Sequence, residues 1–430
     1  MEYIQRNPNK SFVYATPFLA EISRVIERCG RFKQPRNYTG KEGEEHTCQK
    51  IEDFNNLLLY GKDIAVTHCT FMKATEDTIS RIRGGRYVLI LDEVLDIIVE
   101  YNKIEHPIRP QTIPIMVDKG LIRIGDDLRV EWIEEKEYGN SDFSAIEEMA
   151  KKGILYCVDK RLFLSIFPPE IFSAFSEVYI LTYMFEGSMF HSYLKMFGIE
   201  HCIKTVSHTN GEYVLSPYDA QEDMEWREHI GQLIQIYEPK NKYEFRAGAL
   251  SKSWYNRREN AADLSRLKRR MRAFFLNVKS RNIMWTCPKE YQKCLKFAGI
   301  NESRTSKEKE AIRAERERMQ AACTPGTPAD EPKSYECFVS CNAKATNDFN
   351  DRTVLAYCCN MYMNPEINKF FDNHGVNVDN EFFALSCLVQ WIWRSAIRNP
   401  TPSKIVVYIP SSRMRNILVK WLHPQNECTP

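Results

Sequence analysis

A chain of 430 residues is too long for one ordinary hydrophobic core, and its 43% hydrophobic and 12% aromatic content excludes a disordered polymer, so two or three folded domains are expected. The net charge of +2 averages over unlike regions and excludes no partner, while the fourteen scattered cysteines include no Cys-x-x-Cys pair, which excludes a zinc ribbon and points to reduced thiols in a cytosol. No apolar run approaches the ~18 residues needed to cross a bilayer, and the opening MEYIQRNPNK lacks the apolar core of a secretory signal, so no membrane partner is expected.

Phe12–Thr16 (FVYAT) is a short apolar run and predicts a strand. Pro17 then stands near the first turn of a helix, FLAEISRVIERC, whose Phe18, Ile22, Val25 and Ile26 form one apolar face. Residues 31–50 are polar and rich in Lys, Glu and Gly, which predicts an exposed loop. A helical stretch begins over Phe54–Leu59, and Ile64–Val66 is a third apolar run, ending in Thr67 and His68. Tyr87–Asp96 (YVLILDEVLD) organises the rest. Its apolar run is unbroken from Tyr87 to Leu91, as in a strand buried on both faces of a parallel sheet, and Asp92 and Glu93 follow at once. Ligands gather at the carboxyl ends of such strands. Two acids there are costly to bury unless something positive meets them. Mg2+ carrying nucleotide phosphates is the usual solution, with one acid holding the metal and the other polarising water. A strand ending in a solvated turn is the plain alternative.

Leu121–Ile133 alternates around Gly125-Asp126-Asp127 and predicts a hairpin within an insertion spanning about 101–160. Val178–Thr182 restores the buried-strand pattern and ends in Thr182, so the first domain is expected to close near 187 and a second to occupy 188–430. There, Ile203–Val206, Asn282–Thr286, Glu336–Ser340 and Lys404–Ile409 are short apolar runs separated by helical stretches. Strand–helix alternation in both halves predicts α/β architecture with doubly wound lobes. Ser251–Arg318 holds 19 Lys or Arg against 8 Asp or Glu, a local net of +11. Its Leu264, Leu267, Met271, Phe274 and Val278 recur at helical spacing, and the intervening cations form either a solvated face or a phosphate-contact surface. Residues 301–333 read as a helical extension followed by a flexible Pro/Ala/Thr-rich insertion. Cys337/Cys341 and His46/Cys48 read as structural or incidental rather than as metal ligands. Phe382–Arg398 has helical periodicity, and Gln390, Arg394 and Arg398 at i, i+4 and i+8 drift by only about 40° per step, so they are expected to share one stripe. Arginine's planar fork suits phosphate oxygens.

In this order and spacing the chain resembles a superfamily 2 DEAD/DEAH-box-like helicase of the tailed-phage and prophage type. Ala15-Thr16-Pro17 looks like motif Ia, Val66-Thr67-His68 like the next strand-contacting element, Leu91-Asp92-Glu93-Val94 like the Walker B box, and Leu181-Thr182 like motif III. Ser340–Asp348 resembles motif V and Gln390–Arg398 motif VI, although Trp393 stands where the family has glycine and Arg398 lies one position late. The resemblance implies two RecA-like lobes, ATP and Mg2+ as cofactors, and DNA rather than RNA as the partner. It assigns Asp92 to the metal, Glu93 to the attacking water, Gln390, Arg394 and Arg398 to the phosphates, and Thr16, Pro17, Thr67, His68 and Thr182 to the nucleic-acid strand. It places the protein in the cytoplasm of a bacterial or phage-infected cell. The phosphate-cradling Gly-x-x-x-x-Gly-Lys-[Ser/Thr] is absent, since the only Gly-Lys pairs are Gly40-Lys41 and Gly61-Lys62 and neither is followed by Ser or Thr. The first lobe is therefore expected to lack its N-terminal strand, phosphate loop and most of its first helix, with Met1–Asn7 as the tail of that helix. Hydrolysis is then expected to be weak, and a non-catalytic nucleic-acid-binding remnant is the competing expectation. A phage DNA-packaging ATPase is disfavoured because the second half shows no acidic metal cluster of a nuclease.

Overall fold

The unbroken apolar runs become the strands of two parallel sheets. The computed structural model describes residues 1–37, 49–134, 143–209, 211–239, 245–297, 337–341 and 349–423. They divide into two compact units, Met1–Tyr218 with Met363–Asn380, and Asp219–Tyr362 with Glu381–Pro430. The division therefore falls beyond 187, and a segment of the second half belongs to the first unit.

In the first unit, β1 (Phe12–Thr16), β2 (Phe32–Lys33), β3 (Asp63–Thr67), β4 (Val88–Asp92) and β10 (Glu177–Leu181) form one sheet in the order β10-β4-β1-β3-β2, with every pairing parallel. Helices Leu19–Cys29, Lys50–Leu59 and Glu76–Gly85 connect its strands, which is the crossover that parallel neighbours require. Phe12, Val13, Ala15, Leu89 and Leu91 are fully buried; burying each large apolar side chain contributes about 1.5–3 kcal/mol. The expected exposed loop over 31–50 is corrected at its start. Phe32 is buried and pairs β2 onto β3, because one apolar side chain suffices to add a short edge strand. Residues 38–48, including Gly40-Lys41, His46 and Cys48, lie outside the described residues.

One buried acid was not anticipated. Asp63 is 7% exposed, accepts the Phe12 N–H at 2.8 Å and pairs with the Arg31 guanidinium. Arg31 in turn donates to the Lys10 carbonyl at 2.7 Å. Asp63→Ala removes the acceptor of the buried Phe12 amide and the charge partner of Arg31, so it should lower unfolding stability by about 3 kcal/mol. The urea midpoint measures this, and a loss under about 0.5 kcal/mol, the scale of a neutral surface change, would contradict it.

Between β4 and β10 lies the expected insertion. Its strands are β5 (Ile98–Glu100), β6 (Ile122–Ile124), β7 (Val130–Trp132), β8 (Leu155–Val158) and β9 (Leu162–Ile166). β5-β9-β8 is an antiparallel sheet, and β6–β7 is a hairpin turning at Gly125-Asp126-Asp127, as the alternation predicts. Tyr101, Ile113, Met116, Ile122, Val130 and Ile146 belong to a separate core. The helix Pro365–Asn373 returns to this module. Phe370 meets the Tyr156 ring edge-on at 5.6 Å, Lys369 pairs with Asp159 at 2.5 Å, and Asn364 donates to Glu100 at 2.7 Å.

The run Ile203–Val206 is also corrected. It enters β11 (Lys204–Thr209), which pairs antiparallel with β12 (Glu212–Pro217) in a hairpin of the first unit, its side chains half-buried or exposed because polar residues interrupt the apolar run.

The second unit carries a parallel sheet of β13 (Ile234–Ile236), β14 (Ile283–Thr286), β15 (Val354–Tyr357) and β16 (Ile405–Tyr408), in the order β13-β16-β15-β14. β14 and β16 fall on the expected runs. Of the run Glu336–Ser340, the described residues 337–340 contribute a bridge, Phe338 to Trp285, while β15 lies in the sheet interior. The basic helix forms over Ala261–Phe274 with Leu267, Met271 and Phe274 buried. Several of its cations have intramolecular work: Arg266 pairs with Asp263 at 2.8 Å, Lys268 donates to the Cys294 carbonyl at 3.0 Å, and Arg272 lies over the Phe297 ring. Residues 298–336, which hold the expected flexible insertion, lie outside the described residues. No helix among the described residues is long and apolar enough to cross a membrane.

Candidate active site

Parallel pairing places the ends of four strands side by side. Thr16 stands opposite Thr67, Ala15 opposite Leu91, and Leu181 opposite Asp92. The carboxyl edge of the first sheet therefore reads, strand by strand, Thr182, Asp92-Glu93, Thr16, Thr67. Four motifs separated by up to 166 positions, from Thr16 to Thr182, meet on one edge.

Asp92 is half-buried. Burial, and then the charge of Glu21, pushes its carboxyl above the usual range; a hydrogen bond from Tyr14, the charge of Arg24 and a hydrogen bond from Thr16 oppose that rise. The Thr16 hydroxyl donates to Asp92 Oδ2 at 3.4 Å. Tyr14 is 5% exposed, and its phenol is raised by burial first and by the Asp92 charge second. Arg24 is also paired with Glu21. Tyr14 escaped sequence reading because a buried aromatic on a central strand reads as core; its position two before Thr16, hence on the same face, is the signal that was there.

Glu93 sits at φ +65°, a left-handed conformation that costs a residue with a Cβ about 1–2 kcal/mol. Two bonds hold it there. Its N–H donates to the Leu181 carbonyl at 3.0 Å, and the Thr182 hydroxyl donates to its Oε2 at 3.0 Å. The pair is thus splayed: Asp92 faces Thr16 and Tyr14, and Glu93 turns toward β10. Thr67 is committed differently, since its hydroxyl caps the short His68–Phe71 helix by accepting the Thr70 N–H at 3.3 Å. His68, the first residue of that helix, is 6% exposed. Pro17 is half-buried, and the helix opens at Leu19 after an extended Phe18.

The oxygen-only donor set of Asp92, Glu93 and the threonine hydroxyls fits Mg2+ and disfavours softer metals. Among the described residues no three His, Cys, Asp or Glu side chains converge on a metal. Mg2+ characteristically takes one or two carboxylates and fills its shell with phosphate oxygens and water, and one or two carboxylates are what this edge offers. Gly61-Lys62 does not serve it. That pair immediately precedes β3, at the amino edge of the sheet, opposite the acids.

Ionising Asp92 in its partly buried site costs stability. A carboxyl whose folded pKa is raised binds more protons folded than unfolded, so stability falls as pH rises above the ordinary value of 3.8. Asp92→Asn should therefore raise the metal-free melting temperature at pH 7, and the gain should disappear as pH falls below 3.8, where Asp92 is protonated in both states. Thermal scans across pH measure it; a lower melting temperature at pH 7 would contradict it.

In the second unit the expected stripe is corrected. The helix runs Asn380–Ile392 and stops before both arginines. Ser395 ends it: its hydroxyl and N–H both donate to the Ile392 carbonyl, at 2.7 and 3.0 Å, and its backbone is extended. The Ala396 N–H then donates to the Arg352 carbonyl at 2.9 Å. Gln390 is half-buried on the helix, Arg394 is 7% exposed in the turn after it, and Arg398 is exposed at the end of a single 3-10 turn. Trp391 is a packing residue, donating to the Val339 carbonyl at 3.1 Å and meeting Tyr357 edge-on. Trp393 packs between Trp226 and Trp421. Of the motif V region, Ser340 and Cys341 are described and 342–348 are not.

Fold and site together define an α/β protein with two parallel sheets, the first bearing an acid pair at its carboxyl edge. A family described as the YonV C-terminal Rossmann-like domain matches residues 228–422. The SPbeta prophage-derived uncharacterized protein YonV of Bacillus subtilis (strain 168) is 30% identical over 428 residues, covering 97% of this chain and 93% of that protein. The chain belongs to the YonV family. Among solved structures it is similar to S. tokodaii Xpd4, with a TM-score of 0.46 and 12% identity over 97% of this chain and 90% of that one.

Proposed function

We propose that the protein is the core of a nucleic-acid-dependent ATPase of the helicase type, built to couple a nucleotide at the acid pair to a grip on a DNA strand. The observation that carries this reading is the alignment of Asp92-Glu93 with Thr16, Thr67 and Thr182 along one carboxyl edge. A strand binder needs hydroxyls and amides at that edge, and a nucleotide engine needs an acid pair there; this sheet presents both next to each other.

In this reading Asp92 holds Mg2+, and Tyr14 and Thr16 fix its carboxylate from beneath. Bound Mg2+ with ATP supplies charge neutralisation on the phosphate oxygens. Glu93 orients a water through one oxygen while Thr182 holds the other. Because Thr182 follows β10 directly, a shift of Glu93 is felt at a candidate strand contact, which links nucleotide state to grip. Arg398, exposed in the second unit, is the arginine available to a phosphate; Arg394 is a buried residue that shapes the turn presenting it.

The splay of the acid pair, with Glu93 turned toward Thr182 and away from Asp92, favours a second reading, a nucleic-acid-binding protein without turnover. Phosphate release from ATP by the full chain, with and without single-stranded DNA, separates the two. Slow release that depends on both DNA and Asp92 supports the ATPase. DNA binding with no Asp92-dependent release leaves the binding protein.

A further inference from the structure

We propose that Cys341 and Cys359 are a redox pair, a modification site at which a peroxide closes a disulfide across the carboxyl edge of the second sheet. Its chemistry needs no nucleotide.

Backbone pairing brings the two cysteines to that edge from separate stretches of chain. Residues 337–339 run parallel along β14: the Trp285 N–H donates to the Cys337 carbonyl at 2.8 Å, and the Val339 N–H donates to the Trp285 carbonyl at 3.0 Å. Cys341 lies two residues beyond Val339. On the other side of β14, Thr286 stands opposite Tyr357, the last residue of β15, and Cys359 lies two residues beyond Tyr357. Thr286, on the strand between them, has a small and fully buried side chain, and the two thiols meet, Cys359 donating a hydrogen bond to Cys341 Sγ.

The neighbouring thiols are committed elsewhere. Alternation along β15 sends Cys358 to the face of the Ala261–Phe274 helix, where it meets the Met271 sulfur at 3.6 Å. Tyr357 and Cys359 take the opposite face, where Tyr357 meets Trp391. Cys287 donates to the Pro288 carbonyl at 3.4 Å, and Cys337 to the Ser280 carbonyl at 3.2 Å. Cys387, one helical turn before Trp391, feels the charge of Cys341 but is hydrogen-bonded to Ser386.

The two sulfurs differ in role. Cys341 is half-buried and Cys359 is 1% exposed, so an oxidant reaches Cys341 first. Burial, and then the hydrogen bond with Cys341, pushes the Cys359 thiol well above its ordinary range, so Cys359 keeps its proton. A sulfur that accepts a hydrogen bond is stabilised as the thiolate, the nucleophilic form. Cys341 Sγ attacks one peroxide oxygen; the O–O bond breaks, hydroxide leaves and takes up the proton the thiol gave off, and the sulfur becomes a sulfenic acid. Cys359 Sγ then attacks that sulfur. The S–S bond forms, the S–O bond breaks, and the Cys359 proton departs with the oxygen as water. Two thiols thus pass two electrons to one hydrogen peroxide and yield one disulfide and two waters.

The test treats the folded full chain with hydrogen peroxide, blocks remaining thiols by alkylation under denaturing conditions, and maps disulfides by mass spectrometry of the unreduced digest. The expected product is the Cys341–Cys359 bond, in at least about tenfold excess over any other cysteine pair and reversed by dithiothreitol. Amide exchange at 337–341 should slow when the bond forms, because its end is then tied to β15. Cys359→Ala should leave Cys341 as a sulfenic acid that dimedone traps, and Cys341→Ala should leave Cys359 unoxidised. Mapping in the unsubstituted chain keeps the test independent of how well either variant folds. A Cys341–Cys387 bond as the main product, a Cys341–Cys359 bond that forms only after unfolding in urea, or a Cys341 thiol that survives peroxide in the folded chain overturns the proposal.

Discussion

Glu93→Gln should abolish nearly all DNA-dependent phosphate release, by at least about 100-fold, the low end of what a positioned general base contributes. DNA binding should be unchanged, because the amide keeps the size of the acid and still accepts from Thr182. The backbone supplies a control. Glu93 is held at φ +65°, and glycine tolerates that conformation without a Cβ penalty. Glu93→Gly should therefore raise stability by up to about 1 kcal/mol while losing the same activity. Strain kept at a residue whose removal stabilises the fold is the mark of a functional position. If Glu93→Gly is both stable and active, Glu93 has no chemical role.

Arg398→Ala should lower turnover by about 10³-fold or more, as loss of a phosphate-reading arginine does in related phosphoryl transfer, with the melting temperature unmoved because the side chain is exposed. Arg394→Ala should behave in the opposite way. At 7% exposure its guanidinium is part of the packed turn, and truncation should cost about 3 kcal/mol of stability. Steady-state kinetics paired with denaturant melts separates them. An Arg394 variant that is fully stable but inactive, beside an active Arg398 variant, would reverse the assignment.

The first sheet was legible because its strands are buried on both faces, and an unbroken apolar run such as Tyr87–Leu91 allows few other readings. The acid pair and the threonines ending neighbouring strands were legible for the same reason, since a parallel sheet collects strand ends on one edge. What was not legible depended on local endings. The helix expected to reach Arg398 stops at Ile392, yet Ala396 and Ile397 keep the apolar periodicity going, and only the Ser395 hydroxyl on a carbonyl marks the stop. β13 is three residues long, too short for a period to show. β15 runs straight into Cys358 and Cys359, both buried, so no polar end marks it as a strand. The four-residue helix His68–Phe71 is too short for a period to show in the sequence.

The claim on which the rest depends is that Asp92 holds a divalent ion together with a nucleotide. Mn2+ can stand in for Mg2+ and be followed by electron paramagnetic resonance as ATP is added to the full chain. The expected result is one Mn2+–ATP bound per chain at millimolar nucleotide, lost in Asp92→Ala and kept in Arg398→Ala. Binding that survives Asp92→Ala unchanged would contradict it.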